Sequence, residues 1–361
     1  MEKLRTPDRK AFTSIYGKAQ KINYVREAVD PEAYDKYRDM WTRAENMEFV
    51  PDFPLQLDFE LNYSCNFSCI NCTWNVESTK GKGKKTWFPF EVYQEIIDKA
   101  IPKGLKAVRL NYINEPLMRK DIVKYIEHAR KAGILDIYFS TNGSLLSEAV
   151  SHSLIKAGLL RLQVSVDAAT KETFDKIRIG GDFASIKRNI ERFLLIREKL
   201  GSNLPTIRVN FVNSPENKHE LKDFIDYWGP KVDGVGIQDL FGIMDNKGKP
   251  ERDASCEKFN CNQPFVHLTI RYDGEILPCC SFFGAEIPIA MLKTTVQLSE
   301  VDNIGLLEKD KKANLILRTI EEAWHSDEMN FFREIHRKGE YWRHPVCKKC
   351  VLSSSHSDET Q

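Results

Sequence analysis

Three cysteines near the start of the chain have a spacing suited to metal chemistry. Cys65, Cys69 and Cys72 follow a short apolar segment and are separated as C-x3-C-x2-C. Thiolates are the usual protein ligands of iron-sulfur clusters, and three on one short loop can hold three irons of a cubane [4Fe-4S] cluster. The fourth iron then stays open to a small molecule. A structural zinc site would need a fourth ligand, and no cysteine or histidine occurs nearby to supply it.

A second set of cysteines lies in the last third of the chain. The strand-like segments VHLTI and EILPC flank the turn residues Tyr272, Asp273 and Gly274, so a hairpin would bring Cys261 and Cys279 together. The chain has nine cysteines, an odd and clustered number that indicates metal ligation rather than disulfide bonds in a reducing compartment. An iron-sulfur cluster and a structural zinc site both remain open for this set, which comprises Cys256, Cys261, Cys279, Cys280, Cys347 and Cys350.

The composition is that of an ordinary globular protein. Apolar residues make up 42% of the 361 residues, charged residues 29%, and the formal net charge is +1. Basic residues form no aromatic-interleaved stripe, so a nucleic-acid partner is not expected. The first residues lack the apolar core of a secretory signal, and no segment has the length of a membrane span, so we expect a cytoplasmic protein.

Short apolar runs alternate with amphipathic stretches from Leu55 onward, which is the pattern of successive βα units and a parallel sheet. The clearest helix is predicted over residues 184–200, where Ile186, Ile190 and Phe193 form part of an apolar face. Parallel strands with helical crossovers curl into a barrel or partial barrel, and sites in such folds gather at the carboxyl ends of the strands. The six predicted strands cover residues 55–61, 107–113, 136–141, 160–166, 206–212 and 232–238.

Four regions follow from these patterns. Residues 1–50 are rich in charge and aromatics and predict a helical extension. Residues 51–240 form the barrel, and residues 241–352, where the alternation ends, form a smaller domain that holds most of the cysteines. Residues 353–361 are polar and are expected to be disordered.

The C-x3-C-x2-C loop after the first strand resembles the signature of the radical S-adenosylmethionine (SAM) superfamily over residues 55–240. The resemblance implies a partial (β/α)6 barrel whose open cluster iron binds SAM. Asn114, Glu115 and Pro116 stand where the family has Gly-Gly-Glu-Pro, so the glycines are replaced. A serine or aspartate at a strand end can also be a helix cap, and Asn-Gly can be a turn. The SAM contacts implied by the resemblance are Trp74, Glu115, Asn142, Ser165, Asp167 and Arg178.

The C-terminal cysteines resemble the extension called SPASM, or its shorter twitch form, which holds auxiliary [4Fe-4S] clusters. The matching stretch carries Gly274 four residues before Cys279, and a closing C-x2-C near the end of the chain. Because the further cysteines of a full SPASM pattern are lacking, the resemblance implies one auxiliary cluster. Its ligands would be Cys261, Cys279, Cys347 and Cys350.

The resemblance implies reductive cleavage of SAM to a 5'-deoxyadenosyl radical that removes a hydrogen atom from the substrate. Electrons would come from a partner such as flavodoxin or ferredoxin. A cluster with four protein ligands carries electrons more naturally than it binds substrate, which favours oxidation of a small molecule such as a sugar or aminocyclitol. Modification of a ribosomal precursor peptide, by crosslinking or epimerisation, and a non-enzymatic electron carrier are the alternatives. An epimerase needs a hydrogen donor, and Cys256 is the candidate, although it can equally be a buried inert thiol.

Overall fold

The computed structural model describes residues 2–4, 13–17, 23–72, 87–240, 259–295 and 315–353. Its N-terminal part contains strands β1 (Glu2–Leu4) and β2 (Thr13–Gly17), then helices α1 (Asn23–Glu27) and α2 (Pro31–Glu45). Helix α2 begins at Asp30, whose carboxylate accepts hydrogen bonds from the first-turn N–H groups of Glu32 and Ala33. The sequence predicted only helices here, so the two strands correct that prediction.

The central part contains six parallel strands, as predicted. The third of them coincides with the predicted DIYFST segment, and the others differ from prediction by a few residues at their ends. The strands are β3 (Gln56–Phe59), β4 (Ala107–Arg109), β5 (Asp136–Thr141), β6 (Arg161–Ser165), β7 (Thr206–Asn213) and β8 (Gly234–Asp239).

Amphipathic helices connect these strands and cover one face of the sheet. The predicted helix over residues 184–200 is present one residue earlier, and Ile186, Ile190 and Phe193 on its apolar face are buried in the core. Val108 and Phe139 of the strands enter the same core. The helices are α3 (Phe90–Ala100), α4 (Ile122–Lys131), α5 (Glu148–Lys156), α6 (Lys171–Ile177), α7 (Phe183–Lys199) and α8 (Leu221–Trp228). With helices on the outside, the other face of the strands lines the interior of a partial (β/α)6 barrel.

The C-terminal part continues the same sheet. It contains α9 (Gln263–Val266), β9 (His267–Ile270), β10 (Glu275–Leu277), β11 (Ala290–Leu292), β12 (Leu317–Arg318), α10 (Ile320–Trp324), α11 (Asp327–Arg337) and α12 (Pro345–Ser353). Strand β9 pairs in parallel with β3, and β10 pairs antiparallel with β9, which gives the predicted hairpin.

The twelve strands of the described residues lie in the order β1-β2-β8-β7-β6-β5-β4-β3-β9-β10-β11-β12. Trp324 of α10 is fully buried and donates a hydrogen bond from its indole N–H to the carbonyl of Pro51, 2.7 Å away, so the C-terminal part is also packed on the segment that precedes β3. The predicted domain boundary near residue 240 borders the segment 241–258, and nearly all of the polar tail, from residue 354, likewise lies outside the described residues. No helix within the described ranges is both long and apolar enough to cross a membrane.

Candidate active site

The loop that carries Cys65, Cys69 and Cys72 follows β3 and is held against the chain after α6. The N–H of Ser68 donates to the carbonyl of Ile179 at 2.9 Å, and the N–H of Ile70 donates to the carbonyl of Ile177 at 3.1 Å. Close approach depends on glycine, because a Cβ at Gly181 would lie 2.6 Å from the ring of Phe67. The cysteine loop is therefore fixed on the turn that carries Arg178.

The three thiols suit a cationic metal cluster. Cys69 is buried, and Cys65 and Cys72 are half-buried free thiols. Burial raises the pKa of Cys65 to about 12, so these groups would become thiolates only beside a compensating positive charge. The N–H of Phe67 points at the Cys65 sulfur at 3.5 Å. These three residues therefore fit an iron-sulfur cluster, whose irons would supply the charge.

Glu115 lies buried next to this loop, at the carboxyl end of β4. Its carboxylate accepts hydrogen bonds from the Thr141 hydroxyl (2.7 Å) and from the N–H groups of Asn142 (2.7 Å) and Leu117 (3.1 Å). Burial raises the pKa of Glu115 to about 6, although these three donors and Arg178 act to lower it. A carboxylate held in this way could receive the ammonium group of an amino acid.

The segment before Glu115 is bound to the start of the cysteine loop. The Asn114 amide donates to the Asn62 side-chain oxygen at 2.7 Å, and Asn62 donates to the carbonyl of Glu115 at 3.2 Å. The N–H of Glu115 in turn donates to the carbonyl of Ser64 at 2.9 Å. Asparagine side chains thus tie the two segments together at positions where the family has glycine.

Asn142 is engaged in the turn after β5. Its amide donates to the Asn66 side chain at 2.9 Å, and its oxygen accepts from the N–H and hydroxyl of Ser144 at 2.9 and 2.7 Å. Gly143 has a φ of +77°, and a Cβ there would meet Val164 at 2.9 Å, so the turn requires glycine. Asn142 therefore joins the cysteine loop to the end of β5.

Asp167 and Arg178 form a buried ion pair beside the cysteines. Asp167 has a φ of +62°, which is uncommon for a residue other than glycine, and its other carboxylate oxygen accepts from the N–H of Val212 at 2.7 Å. Arg178 also donates from Nη1 toward the Cys69 sulfur at 3.6 Å, and its buried Nε has no hydrogen-bond partner among the described residues. The sequence predicted SAM contacts for both residues but not their pairing.

The structure brings five of the predicted site residues to one edge of the barrel. Glu115, Asn142, Asp167 and Arg178 surround the cysteine loop, and Ser165 is half-buried at the end of β6. Trp74 and Cys256 lie outside the described residues.

The C-terminal cysteines form a second group. Cys261 precedes α9, Cys279 follows β10, and Cys347 and Cys350 lie on α12. Burial raises the pKa of Cys261 and of Cys347 to about 12, and Cys350 raises both further, which requires these sulfurs to be neighbours. The Cys350 sulfur lies 3.2 Å from the Ser281 hydroxyl. These buried free thiols also fit a cationic cluster or metal ion.

Cys280 has different surroundings from Cys279. Its N–H donates to the His267 ring at 3.1 Å, and its sulfur lies 3.4 Å from the Gln263 side-chain oxygen. Burial acts to raise the pKa of Cys280, but His267 more than offsets this, and the pKa falls below its usual value. Ligand atoms of Asp58, His267 and Cys280 all lie within 4.8 Å of one another. Sequence reasoning assigned Cys280 to structural packing and did not identify this group.

Sequence reasoning also missed a set of polar side chains inside the barrel, which we call the polar lumen. The Tyr138 hydroxyl donates to Gln56 at 3.2 Å, and the Ser140 hydroxyl donates to Gln163 at 3.1 Å. Alternation of polar and apolar residues within the strands, as in LQLDF, was the available signal. The polar lumen comprises Gln56, Asp58, Arg109, Tyr138, Ser140, Arg161, Gln163 and Arg208.

Two known families match this chain. Residues 59–227 match the Radical SAM superfamily, and residues 261–351 match SPASM, an iron-sulfur cluster-binding domain. The first match implies a SAM-binding [4Fe-4S] cluster, and the second implies auxiliary iron-sulfur clusters.

Curated relatives are similar over part of their length. A probable GTP 3',8-cyclase of Methanococcus vannielii is 31% identical over 163 residues, which are 45% of this chain and 51% of the relative. The mycofactocin maturase MftC of Mycobacterium ulcerans is 29% identical over 184 residues, 50% of this chain and 46% of the relative. The chain thus spans about half the length of the curated relatives it matches.

Solved structures share the fold. The enzyme anSMEcpe with bound AdoMet superposes with a TM-score of 0.54 at 15% identity, covering 82% of this chain and 88% of that one. Streptococcus suis SuiB bound to its precursor peptide SuiA superposes with a TM-score of 0.52 at 16% identity, covering 87% of this chain and 74% of SuiB.

Proposed function

We propose that this chain, which belongs to the radical SAM superfamily and carries a C-terminal SPASM domain, oxidises a polar small molecule such as a sugar or aminocyclitol. When cluster and SAM are bound, reductive cleavage of SAM supplies a 5'-deoxyadenosyl radical that removes a hydrogen atom from the substrate. The protein's own contribution is to bind, orient and exclude water.

Residues at the barrel edge would hold these groups. Cys65, Cys69 and Cys72 would ligate three irons. Glu115 would accept hydrogen bonds from the SAM ammonium, because its carboxylate is buried and already oriented by three donors. Arg178 would bind the SAM carboxylate through its Nε, which has no partner in the described part of the chain.

The observation that carries the proposal is the polar lumen. Hydroxyl, amide and charged side chains of adjacent strands are linked across the barrel interior, as in the contacts of Gln163 with Ser140 and Arg208. A hydroxyl-rich substrate would replace its lost water contacts with such groups, whereas an apolar one would leave them unsatisfied. The favoured substrate is therefore polar.

A four-cysteine site would favour oxidation over a redox-neutral rearrangement. Cys261, Cys279, Cys347 and Cys350 would complete the ligand set of one auxiliary cluster and leave no iron open. Oxidation of a secondary alcohol balances as SAM plus the alcohol giving methionine, 5'-deoxyadenosine, the ketone and one proton. The second electron of the substrate would leave through this site, and the first reduction would need an external donor such as flavodoxin or ferredoxin.

The test uses anaerobically reconstituted protein with SAM and a reductant. We expect slow 5'-deoxyadenosine formation without substrate, and a large increase with the true substrate among neutral and charged sugars and aminocyclitols. One oxidised product per SAM consumed supports a dehydrogenase. A product with the mass of the substrate would contradict it.

Peptide modification is the second candidate, because MftC, a maturase by name, is 29% identical over half of this chain. Stimulation of SAM cleavage by a precursor peptide encoded beside the gene, but by no sugar, would select this alternative. A non-enzymatic electron carrier would instead show no SAM cleavage at all. We further propose a cytoplasmic location, because free thiols persist in reducing compartments.

A further inference from the structure

Three arginines line the polar lumen, and two of them have carboxylate partners. Arg161 donates from Nε to Asp136 at 2.7 Å, and Arg109 lies 3.6 Å from Asp58. Arg208 instead donates from Nη2 to the neutral side chain of Gln163, at 2.6 Å. No carboxylate in the described ranges forms an ion pair with Arg208.

The surroundings of Arg208 are unfavourable to its charge. Its buried Nε has no hydrogen-bond partner among the described residues. Burial, together with Arg161 and Arg109, lowers the pKa of Arg208 to about 10. The guanidinium is still charged at neutral pH, so the polar lumen holds a cation without a counter-charge in the described structure. An anion in contact with Arg208 would remove this penalty.

Arg208 stands at a level where a substrate would meet the radical. It pairs with Gln163 on β6, two residues before Asn210, which pairs with Ser165 at the carboxyl end of that strand. At about 3.3 Å per residue, Arg208 is roughly 7 Å below the strand ends that surround the cysteine loop. The ion pairs of Arg109 and Arg161 lie one level deeper.

A glycine on the neighbouring strand keeps space beside Arg208. A Cβ at Gly236 would lie 2.6 Å from the Asn210 side-chain oxygen and 3.2 Å from Nε and Cδ of Arg208. Any larger residue on β8 would therefore press on the guanidinium and its approach.

We propose that Arg208 binds an anionic group, a carboxylate or a phosphate, of the substrate. This inference rests on the proposed function and narrows its substrate class from polar to acidic molecules. The planar guanidinium offers paired N–H donors that match two oxygens of such a group. Arg109 and Arg161 already have carboxylate partners and would form the floor of the site.

The test measures binding of two simple anions, inorganic phosphate and acetate, to the reconstituted enzyme with SAM. Isothermal titration calorimetry is run at constant ionic strength against chloride. We expect saturable binding of at least one anion, and binding at least about tenfold weaker in Arg208→Gln, because a charge-assisted hydrogen bond is lost. The preferred anion distinguishes a carboxylate from a phosphate substrate.

Arg130→Gln is the matched control. Arg130 is also half-buried, with a pKa lowered by burial, but it lies on α4 outside the barrel and donates to the carbonyl of Ala28. Anion binding should be unchanged in this variant. Equal anion binding by wild type and Arg208→Gln, or no saturable binding by wild type, would overturn the proposal.

Two further variants guard against misfolding of Arg208→Gln. Arg208→Lys keeps the charge and should bind with intermediate affinity, and Gly236→Ala keeps Arg208 but should weaken binding by crowding it. If both bind like wild type, the proposal fails. SAM cleavage by wild type is measured on the same sample, and its absence would overturn the proposed function whatever the anion results are.

Discussion

The Nη1 atom of Arg178 lies 3.6 Å from the Sγ atom of Cys69. The same guanidinium forms an ion pair with Asp167, so one side chain connects the cysteine loop to the end of β6. Positive charge and hydrogen bonds next to cluster sulfurs raise the reduction potential of a cluster. Arg178 would therefore influence the cluster as well as SAM.

Replacing Arg178 with Gln should lower the reduction potential of the SAM-binding cluster and weaken SAM binding by about 1.5 to 3 kcal/mol. Potentiometric titration followed by electron paramagnetic resonance measures the first effect, and equilibrium SAM binding the second. Arg197→Gln is a suitable control, because Arg197 forms a comparable ion pair with Asp233 elsewhere. An unchanged potential together with an unchanged SAM dissociation constant would contradict both roles.

Glu115 should make stability and SAM binding depend on pH in opposite directions. Its pKa is raised by burial from 4.5 to about 6, so its contribution to the stability of the metal-free chain is fully present below pH 4.5. That contribution, about 2 kcal/mol, is lost as pH rises through 6. Bound SAM would favour the carboxylate, so SAM affinity should increase over the same window.

Glu115→Gln is the variant that tests this pH dependence. Chemical denaturation of metal-free protein between pH 4 and 7, and SAM titration of the reconstituted enzyme between pH 5 and 7, should both lose the wild-type slope. A variant that retains both slopes would assign them to another group.

Reconstituted protein should contain about eight irons per chain, because two cubane clusters are proposed. Replacing Cys65, Cys69 and Cys72 with Ala should leave about four irons and abolish 5'-deoxyadenosine formation. Metal analysis and product quantification on the same sample check both numbers. Four irons with stoichiometric zinc in wild type would disprove the auxiliary cluster, and SAM cleavage by the triple variant would disprove the first site.

Cys256 distinguishes oxidation from epimerisation. If the enzyme is a dehydrogenase, Cys256→Ala should keep most of its turnover, because no hydrogen atom is returned to the substrate. Mass spectrometry of products formed in deuterated water gives the readout. If wild type incorporates one deuterium at carbon and the variant cleaves SAM without forming product, the epimerase replaces the dehydrogenase.

Trp324→Ala should destabilise the barrel and the C-terminal part together. The side chain is fully buried, donates to the Pro51 carbonyl and lies under the Arg333 guanidinium at 4.1 Å from its ring centroid. Truncation should remove about 3 to 5 kcal/mol of unfolding free energy. Leu195→Ala, at a side chain that is 56% exposed, should change it by less than about 0.5 kcal/mol. Separate unfolding transitions for the two parts would contradict a shared core.

The barrel was predictable because its signals are local. Each parallel strand is a short apolar run, and the cysteine spacing lies within eight residues of one loop. Strands β1 and β2 were not predictable, because β2 is stabilised by pairing with β8, more than two hundred residues away. A three-residue or five-residue segment carries little signal without its partner.

Within the site, residue types were more predictable than their partners. Cysteine spacing and the Glu-Pro and Asn-Gly segments identified residues that the fold brings to one edge. The positive φ of Asp167 and its pairing with Arg178 depend on three-dimensional packing. Arg208 was missed because one arginine in a strand is unremarkable until the strands on both sides show what surrounds it.

The parallel pairing of β3 with β9 has a consequence for how the chain folds. Glu60, just after β3, contacts Arg271, just after β9, and these residues are 211 positions apart in the chain. During synthesis, the strand that leads into the cysteine loop must therefore wait for most of the protein before its second neighbour exists. Such long-range contacts slow folding and leave strand edges exposed for longer. Assembly of the first cluster before the C-terminal part emerges would then occur on a half-finished sheet, which favours insertion of both clusters after translation is complete.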